Sequence, residues 1–228
     1  MAKRTVAIIP ARGGSKRLPN KNLSLIGGKT LVEHSINYAM GNAGIIDDVV
    51  VSSDSKEIIQ VAKNTGATVV ERPAELSGDE SSTISVLKHT LLKLGKKYDV
   101  IVLLQPTNPL RPPNLLKDAF KEFENGKYDS LMTVSRSYHK LGKIEEGKFI
   151  PFNYKMGQRS QDLEPLYYEN GLLYIIRSEI VMNNLLLAEK NLPFKVNHLF
   201  ANVDIDTIED LRYAQFLYEN DRLKNDDL

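Results

Sequence analysis

Short β-rich apolar runs alternate along this 228-residue chain with segments whose apolar residues recur at helical spacing. That alternation predicts a three-layer α/β fold around a mostly parallel sheet. Two further observations agree with it. The run Tyr98 to Leu104, Y-D-V-I-V-L-L, is apolar on both of its alternating faces, as a central strand covered from both sides must be. Glycine-rich and charged loops follow directly on strand ends, where open α/β sheets hold their ligands. The length suits one domain, 1–228, with one small insertion.

The first strand, Val6 to Ile9, runs without a break towards Arg12, Gly13, Gly14, Ser15 and Lys16, then Lys21 and Asn22. Glycines let backbone N–H groups approach an anion closely. Arg12 offers a planar fork, and Lys16 and Lys21 offer mobile charges, so the loop points to a polyphosphate. Gly28-Lys29-Thr30 has the look of a Walker A tail, but Leu23 stands where the leading glycine belongs and no buried strand precedes it. Spacing therefore excludes a P-loop.

Leu31, His34, Ser35, Tyr38 and Ala39 predict a helix, and Asp48 to Ser52 the next strand. Asp54 is the expected N-cap of a helix carrying Ile58, Ile59 and Ala62, with a nucleotide contact as its other reading. Gly66 closes that helix, and Thr68 to Glu71 forms a strand leading to Arg72. Ser82 and Thr83 precede the helix of Val86, Leu87, Thr90 and Leu91, placed to cap it. After Leu104, Gln105 sits on a stiff loop, because Pro106 and Pro109 cannot continue a strand. A helix from about Leu115 to Phe123 and a strand near Ser130 to Ser135 follow.

Between Tyr138 and Pro165 the pattern breaks at Gly142, Gly147, Pro151 and Gly157, which predicts an inserted β-rich excursion over about 138–165. Another strand is expected from about Lys195. It leads to V-D-I-D-T, Val203 to Thr207, where Asp204 and Asp206 share one face of an extended segment. Two hard oxygen ligands suit Mg²⁺, which keeps waters and substrate phosphates as its other ligands. The competing reading is that Asp206 only caps the terminal helix, which runs past Leu211, Ala214 and Leu217.

Composition narrows the function. Thirty Lys and Arg against 29 Asp and Glu leave a net charge of +1, which argues against general nucleic-acid binding. The absence of Cys excludes disulfides and thiolate metal sites. No apolar run is long enough to span a membrane, and no signal-peptide core precedes the first strand, so a cytoplasmic location is expected. His34, His89, His139 and His198 lack a triad-like setting and read as structural or surface residues.

The stretch A-R-G-G-S-K-R-L-P-N-K-N, from Ala11 to Asn22, resembles the nucleotide-binding signature of the CMP-sialic acid synthetases. Three later stretches resemble that family's other signatures in order: R-P-A-E-L from Arg72, L-L-Q-P-T-N-P-L-R from Leu103, and Y-Y-E-N-G-L-L-Y from Tyr167. D-I-D-T, from Asp204, resembles the family's metal-binding segment. The resemblance implies a nucleotide-diphosphosugar transferase fold, CTP and Mg²⁺ as cosubstrate and cofactor, and a nine-carbon acidic sugar as acceptor. It implies that Ala11, Arg12, Gly13, Asn22, Arg72, Ser82 and Thr83 bind the nucleotide, and that Arg12, Lys16, Lys21, Asp204 and Asp206 carry the chemistry. Gln105, Arg159, Tyr168, Glu169 and Asn170 are implied at the sugar. The excursion corresponds to an arm that pairs two subunits, so a homodimer is expected.

Two departures bear on the sugar. Tyr168 stands where sialic acid members carry Arg, and Glu169 replaces a Pro. The upstream Arg-Gln pair reads Arg159-Ser160-Gln161, which shifts Arg159 by one residue. These changes leave the reaction intact and point to a modified, legionaminate-like acid rather than N-acetylneuraminate. Other readings are a cytidylyltransferase for the eight-carbon sugar Kdo, a sugar-1-phosphate nucleotidyltransferase, and a non-catalytic nucleotide-binding module.

Overall fold

The computed structural model describes residues 3–78 and 80–226. Seven strands form the main sheet: β1 (Thr5–Pro10), β4 (Asp48–Ser53), β5 (Thr68–Glu71), β6 (Val100–Leu103), β7 (Ser130–Ser137), β10 (Leu166–Arg177) and β11 (Asn191–Lys195). Their order is β11-β7-β10-β6-β1-β4-β5. Every neighbouring pair is parallel except the two that involve β10. A mostly parallel sheet is what the alternating pattern predicts.

Alternation along the strands builds a core on each face. Ala7 and Ile9 pack on one side with Val32 and Ile36 of α1 (Leu31–Met40), Ile58 of α2 (Lys56–Asn64), and Leu116 and Phe123 of α4 (Leu115–Asn125). Val6 and Ile8 face the other way, against Leu87 of α3 (Thr83–Leu94) and Val181 of α5 (Ser178–Met182). Helices on both faces make the three layers. A third apolar cluster joins Ile26 of the small hairpin β2–β3 (Leu25–Ile26 and Lys29–Thr30) to Val203, Ile205, Ala214 and Leu217 under α6 (Ile208–Asp226). No helix among the described residues is long and apolar enough to cross a membrane.

One feature differs from expectation. The strand before the aspartates ends at Lys195 rather than starting there. Pro193 lies inside it, which is tolerated because β11 is an edge strand, and a proline weakens the strand signal. The excursion between β7 and β10 contains the exposed hairpin β8–β9 (Gly142–Glu145 and Lys148–Pro151), paired only with itself. Ile144, Phe149 and Phe152 are exposed on and beside it, at 79%, 55% and 66%.

Candidate active site

The loops leaving the carboxyl ends of β1 and β6 meet the segment that precedes α6, and the β4 loop bonds to the β1 loop beside them. Ala11 still belongs to the sheet, its N–H donating to Ser52 O at 2.9 Å. A Cβ on Gly13 would come within 2.9 Å of Ser55 Cβ, so only glycine lets the loop pass this close to α2. Gly13 N–H donates to Asp54 Oδ1 at 2.9 Å. Asp54 is therefore not the helix cap; Ser55 is, accepting from Ile58 N–H at 3.3 Å. The serine hydroxyl lies within reach of the helix while the Asp54 carboxylate turns back to the glycine loop. Gly14 faces open space. Asn22, buried, donates from Nδ2 to Arg12 O at 2.9 Å and closes the loop on itself.

Arg72 lies beneath this loop, 6% exposed, with its guanidinium donating to Ser52 O at 2.8 Å and Leu76 O at 3.5 Å. Burial lowers its pKa; Asp54 opposes that shift and Arg12 adds to it, so the three charges form one electrostatic unit. Ser82 is the N-cap of α3, accepting from Ser85 N–H at 3.1 Å, and Thr83 is the first helical residue. Ser82 and Lys16 line the same open cleft of about 700 Å³ with Leu76 and Ser81.

The carboxylate pair is set by the loop after β6. Thr107 O accepts from Ile205 N–H at 2.8 Å, and Asn108 Nδ2 donates to Val203 O at 2.6 Å. Val203 and Ile205 are buried at 1% and 0%, so Asp204 and Asp206 project from the opposite side of this extended stretch. Arg111 anchors the same loop from within: 6% exposed, it donates to Leu172 O, Ser35 Oγ and Gln105 O at 2.7, 3.2 and 2.8 Å. Burial pulls its pKa down to about 10, so it stays charged at neutral pH.

Asp206 does not cap the last helix. Thr207 does: its Oγ1 accepts from Asp210 N–H at 3.3 Å, and Asp210 Oδ2 accepts from Thr207 N–H at 2.8 Å and Asp206 N–H at 3.0 Å. With the cap supplied elsewhere, the Asp206 carboxylate accepts from Lys21 Nζ at 2.8 Å and from the Arg17 guanidinium at 2.6 Å. The Asp204 carboxyl is pushed up by desolvation and by repulsion from Asp206, against a hydrogen bond from Thr107 and the charge of Lys21. No group of three or more His, Asp or Glu able to hold a metal occurs among the described residues. Two outward carboxylates that repel each other fit a hard divalent cation completed by water and phosphate oxygens.

The expected sugar-side residues are not all brought together. Tyr168 donates from its hydroxyl to Asn202 Oδ1 at 3.0 Å. Glu169 accepts a short hydrogen bond from Tyr174, whose hydroxyl pKa is raised by burial first, then by Glu169 and Asp204. Asn170, expected at the sugar, is 5% exposed, and its amide is engaged by Thr133 Oγ1 at 2.6 Å and Ser135 Oγ at 3.0 Å. These bonds tie β10 to β7. Arg159 lies in the excursion and is held by Asp162 at 2.7 and 3.2 Å, and no contact among the described residues joins it to Tyr168. Gln105 is half-buried on its stiff loop. Arg17, Thr107 and Tyr174 escape the sequence reading. Arg17 shows only as one more cation in a basic run, Thr107 as loop filler, and Tyr174 as part of an apolar strand.

A family model described as cytidylyltransferase matches residues 6–227. A pseudaminic acid cytidylyltransferase of Campylobacter jejuni is 34% identical over 227 residues, covering 95% of this chain and 97% of that protein. A CMP-N,N'-diacetyllegionaminic acid synthase of Legionella pneumophila is also 34% identical, over 236 residues, with the same coverage of each chain. Among solved structures, a CMP:2-keto-3-deoxy-manno-octonic acid synthetase complexed with CTP superposes with a TM-score of 0.74 at 19% identity, over 96% of this chain and 100% of that one, which shows the shared fold. On the match along nearly its whole length, and as the four signatures imply, this chain belongs to the cytidylyltransferase family.

Proposed function

We propose that this protein transfers CMP from CTP to a nonulosonic acid and releases pyrophosphate. The observation that carries the reading is the junction of the basic loop with the carboxylate pair, where Lys21 and Arg17 reach Asp206. The relatives named for pseudaminic and legionaminic acids support an acidic sugar of that class as acceptor.

In this reading the anomeric hydroxyl oxygen of the sugar bonds to the α-phosphorus as the bond to the β-phosphate oxygen breaks. The hydroxyl proton passes to solvent and pyrophosphate departs with the electron pair of the broken P–O bond. Arg12, Lys16 and Lys21 hold the triphosphate and offset charge on the leaving group. Arg72 and Asn22 line the base side, beneath the loop they brace. Gln105 presents an amide that donates and accepts at once, as a polyhydroxylated sugar requires. Asp204 and Asp206 would hold Mg²⁺, which supplies positive charge to phosphate oxygens. The exposed hairpin β8–β9 pairs two subunits, and Arg159 then reaches the sugar site of the partner.

The test is pyrophosphate release from CTP, UTP or ATP with Mg²⁺ and a panel of pseudaminic, legionaminic, N-acetylneuraminic and Kdo acids. Turnover is expected with CTP and a nine-carbon acid. Preference for Kdo, or equal use of CTP and UTP, would overturn the reading.

A further inference from the structure

A second cavity, of about 530 Å³, opens at the carboxyl ends of β7 and β11, lined among others by Arg136, Tyr138, Tyr167, Tyr168, Lys195 and Asn202. It adjoins the carboxylate pair through two short links. Asn202 lies two residues before Asp204, and Tyr168 precedes Glu169, which bonds Tyr174 beside Asp204.

The lining holds Arg136 and Lys195 and no Asp or Glu. Arg136 Nε is buried without a hydrogen-bond partner among the described residues, while one terminal nitrogen donates to Leu163 O at 3.3 Å. Its guanidinium stacks 4.7 Å from the Tyr138 ring centre, and Lys195 Nζ lies 5.2 Å from that of Tyr167. Aromatic faces thus position both cations, and no carboxylate among the described residues forms an ion pair with either. Arg136 Nε is closed off by the protein, so an incoming anion meets the terminal nitrogens of the fork. The register pairs Tyr167 with Arg136 and Tyr168 with Ser135. Arg136, Tyr167 and Lys195 therefore share one face of the sheet, where the two cations and the Tyr167 ring converge.

We infer that this cavity is the acid-recognition pocket for the sugar, with Arg136 the donor to its carboxylate and Lys195 the second charge. The three tyrosine rings face the apolar substituents of the same molecule. The volume lies within the range of small-ligand sites. This inference rests on the chain acting on a sugar acid with CTP, and it adds the residue that selects for the acid group.

The experiment compares wild type with Arg136→Ala and Arg136→Lys, using pseudaminic and legionaminic acids and their methyl esters. For each variant the KM for sugar and for CTP, the melting temperature and the elution volume are measured. With the acids, Arg136→Ala is expected to raise the sugar KM about 10- to 100-fold, the worth of a hydrogen bond to a charged group, with the KM for CTP unchanged. With the esters, wild type and variant should perform alike. Arg136→Lys keeps the charge, loses the fork, and should fall between; it also serves if the alanine variant fails to fold. An unchanged sugar KM, or equal rises for acid and ester, would overturn the assignment. A change of oligomeric state without a change of sugar KM would make the cavity a subunit surface instead. If wild type turns over no sugar acid with CTP, the functional reading has failed. Calorimetric titration of the acids into wild type and Arg136→Ala then decides the pocket on its own, equal or absent binding overturning it.

Discussion

Lys21 Nζ lies 2.8 Å from Asp206 Oδ1, joining positions 185 residues apart in the chain. The contact brings the glycine-rich basic loop and the carboxylate pair together. Lys21 is 14% exposed at its side chain, so little solvent screens the pair. Asp206→Asn should lower kcat by about 10²–10³-fold, the scale of losing one charge-stabilising element at a reacting centre. Lys21→Met should lower kcat and raise the KM for CTP. Independently of activity, Mg²⁺ should raise the melting temperature of wild type and leave that of Asp204→Asn unmoved. A wild-type rate in Asp206→Asn would refute the role.

Tyr168 should bias the choice of acid. Its hydroxyl is engaged by Asn202, so its ring presents an apolar surface beside the 530 Å³ cavity. Tyr168→Arg should shift kcat/KM towards N-acetylneuraminate and away from legionaminate. Identical ratios for the two acids in both proteins would show that this position does not discriminate.

Gly171 is expected to be intolerant. It has φ +72°, and a Cβ there would sit 2.7 Å from Asn108 Oδ1. The left-handed backbone alone costs a non-glycine residue about 1–2 kcal/mol. Displacing Asn108 also loosens its bonds to Asn170 O and Val203 O. Gly171→Ala should therefore lower both the urea midpoint and kcat, because Val203 leads directly into the carboxylates.

The exposed apolar hairpin should control assembly. Substituting Glu for Ile144 and Phe149, on facing strands of β8–β9, should convert a dimer to a monomer in light scattering. Circular dichroism should remain native, since this hairpin takes no part in the main sheet. A monomeric wild type would disprove the arm's role.

At the opposite end of the sheet, Asp48 ties strand β4 to Tyr98 at 2.8 Å and to Arg4 at 2.8 Å. The Tyr98 hydrogen bond leads the causes that hold its carboxyl below the usual range. A depressed folded pKa contributes stability that is complete above the unfolded value of about 4 and is lost as pH falls through the lower folded one. Tyr98 itself is pushed up to about 12, so its proton is held in the fold and stability falls as pH rises from 10 towards 12. Asp48→Asn should flatten the acid limb in urea titrations between pH 5 and about pH 2, while leaving kcat unaltered.

The layered fold was legible because Val6 to Ile9 and Val100 to Leu103 are apolar at every position, which only a doubly covered strand explains. The extended placement of Asp204 and Asp206 was equally readable, since Val203 and Ile205 alternate with them. Caps were not. Asp54 and Asp206 have the right chemistry, but a neighbouring hydroxyl on Ser55 or Thr207 took the position, and capping choice depends on a turn geometry that spacing does not encode. Asn170 looked functional as a polar residue in a signature. Its amide is taken up by Thr133 on the neighbouring strand β7, 37 residues away in sequence.

Strand β10 runs against both of its neighbours, β6 and β7. The chain therefore leaves β7 and re-enters β10 at the same end of the sheet, with no crossover helix between them. Everything from about 138 to 165 is in effect one elongated hairpin turn. Closing such a turn grows dearer only with the logarithm of its length, by about 0.6 kcal/mol for each doubling. Segments there can be lengthened, shortened or exchanged while the β1–β4–β5–β6 half keeps its register. In the proposed reading, acceptor choice and subunit pairing would thus be adjustable at one place in the chain, separately from the loops that hold the nucleotide.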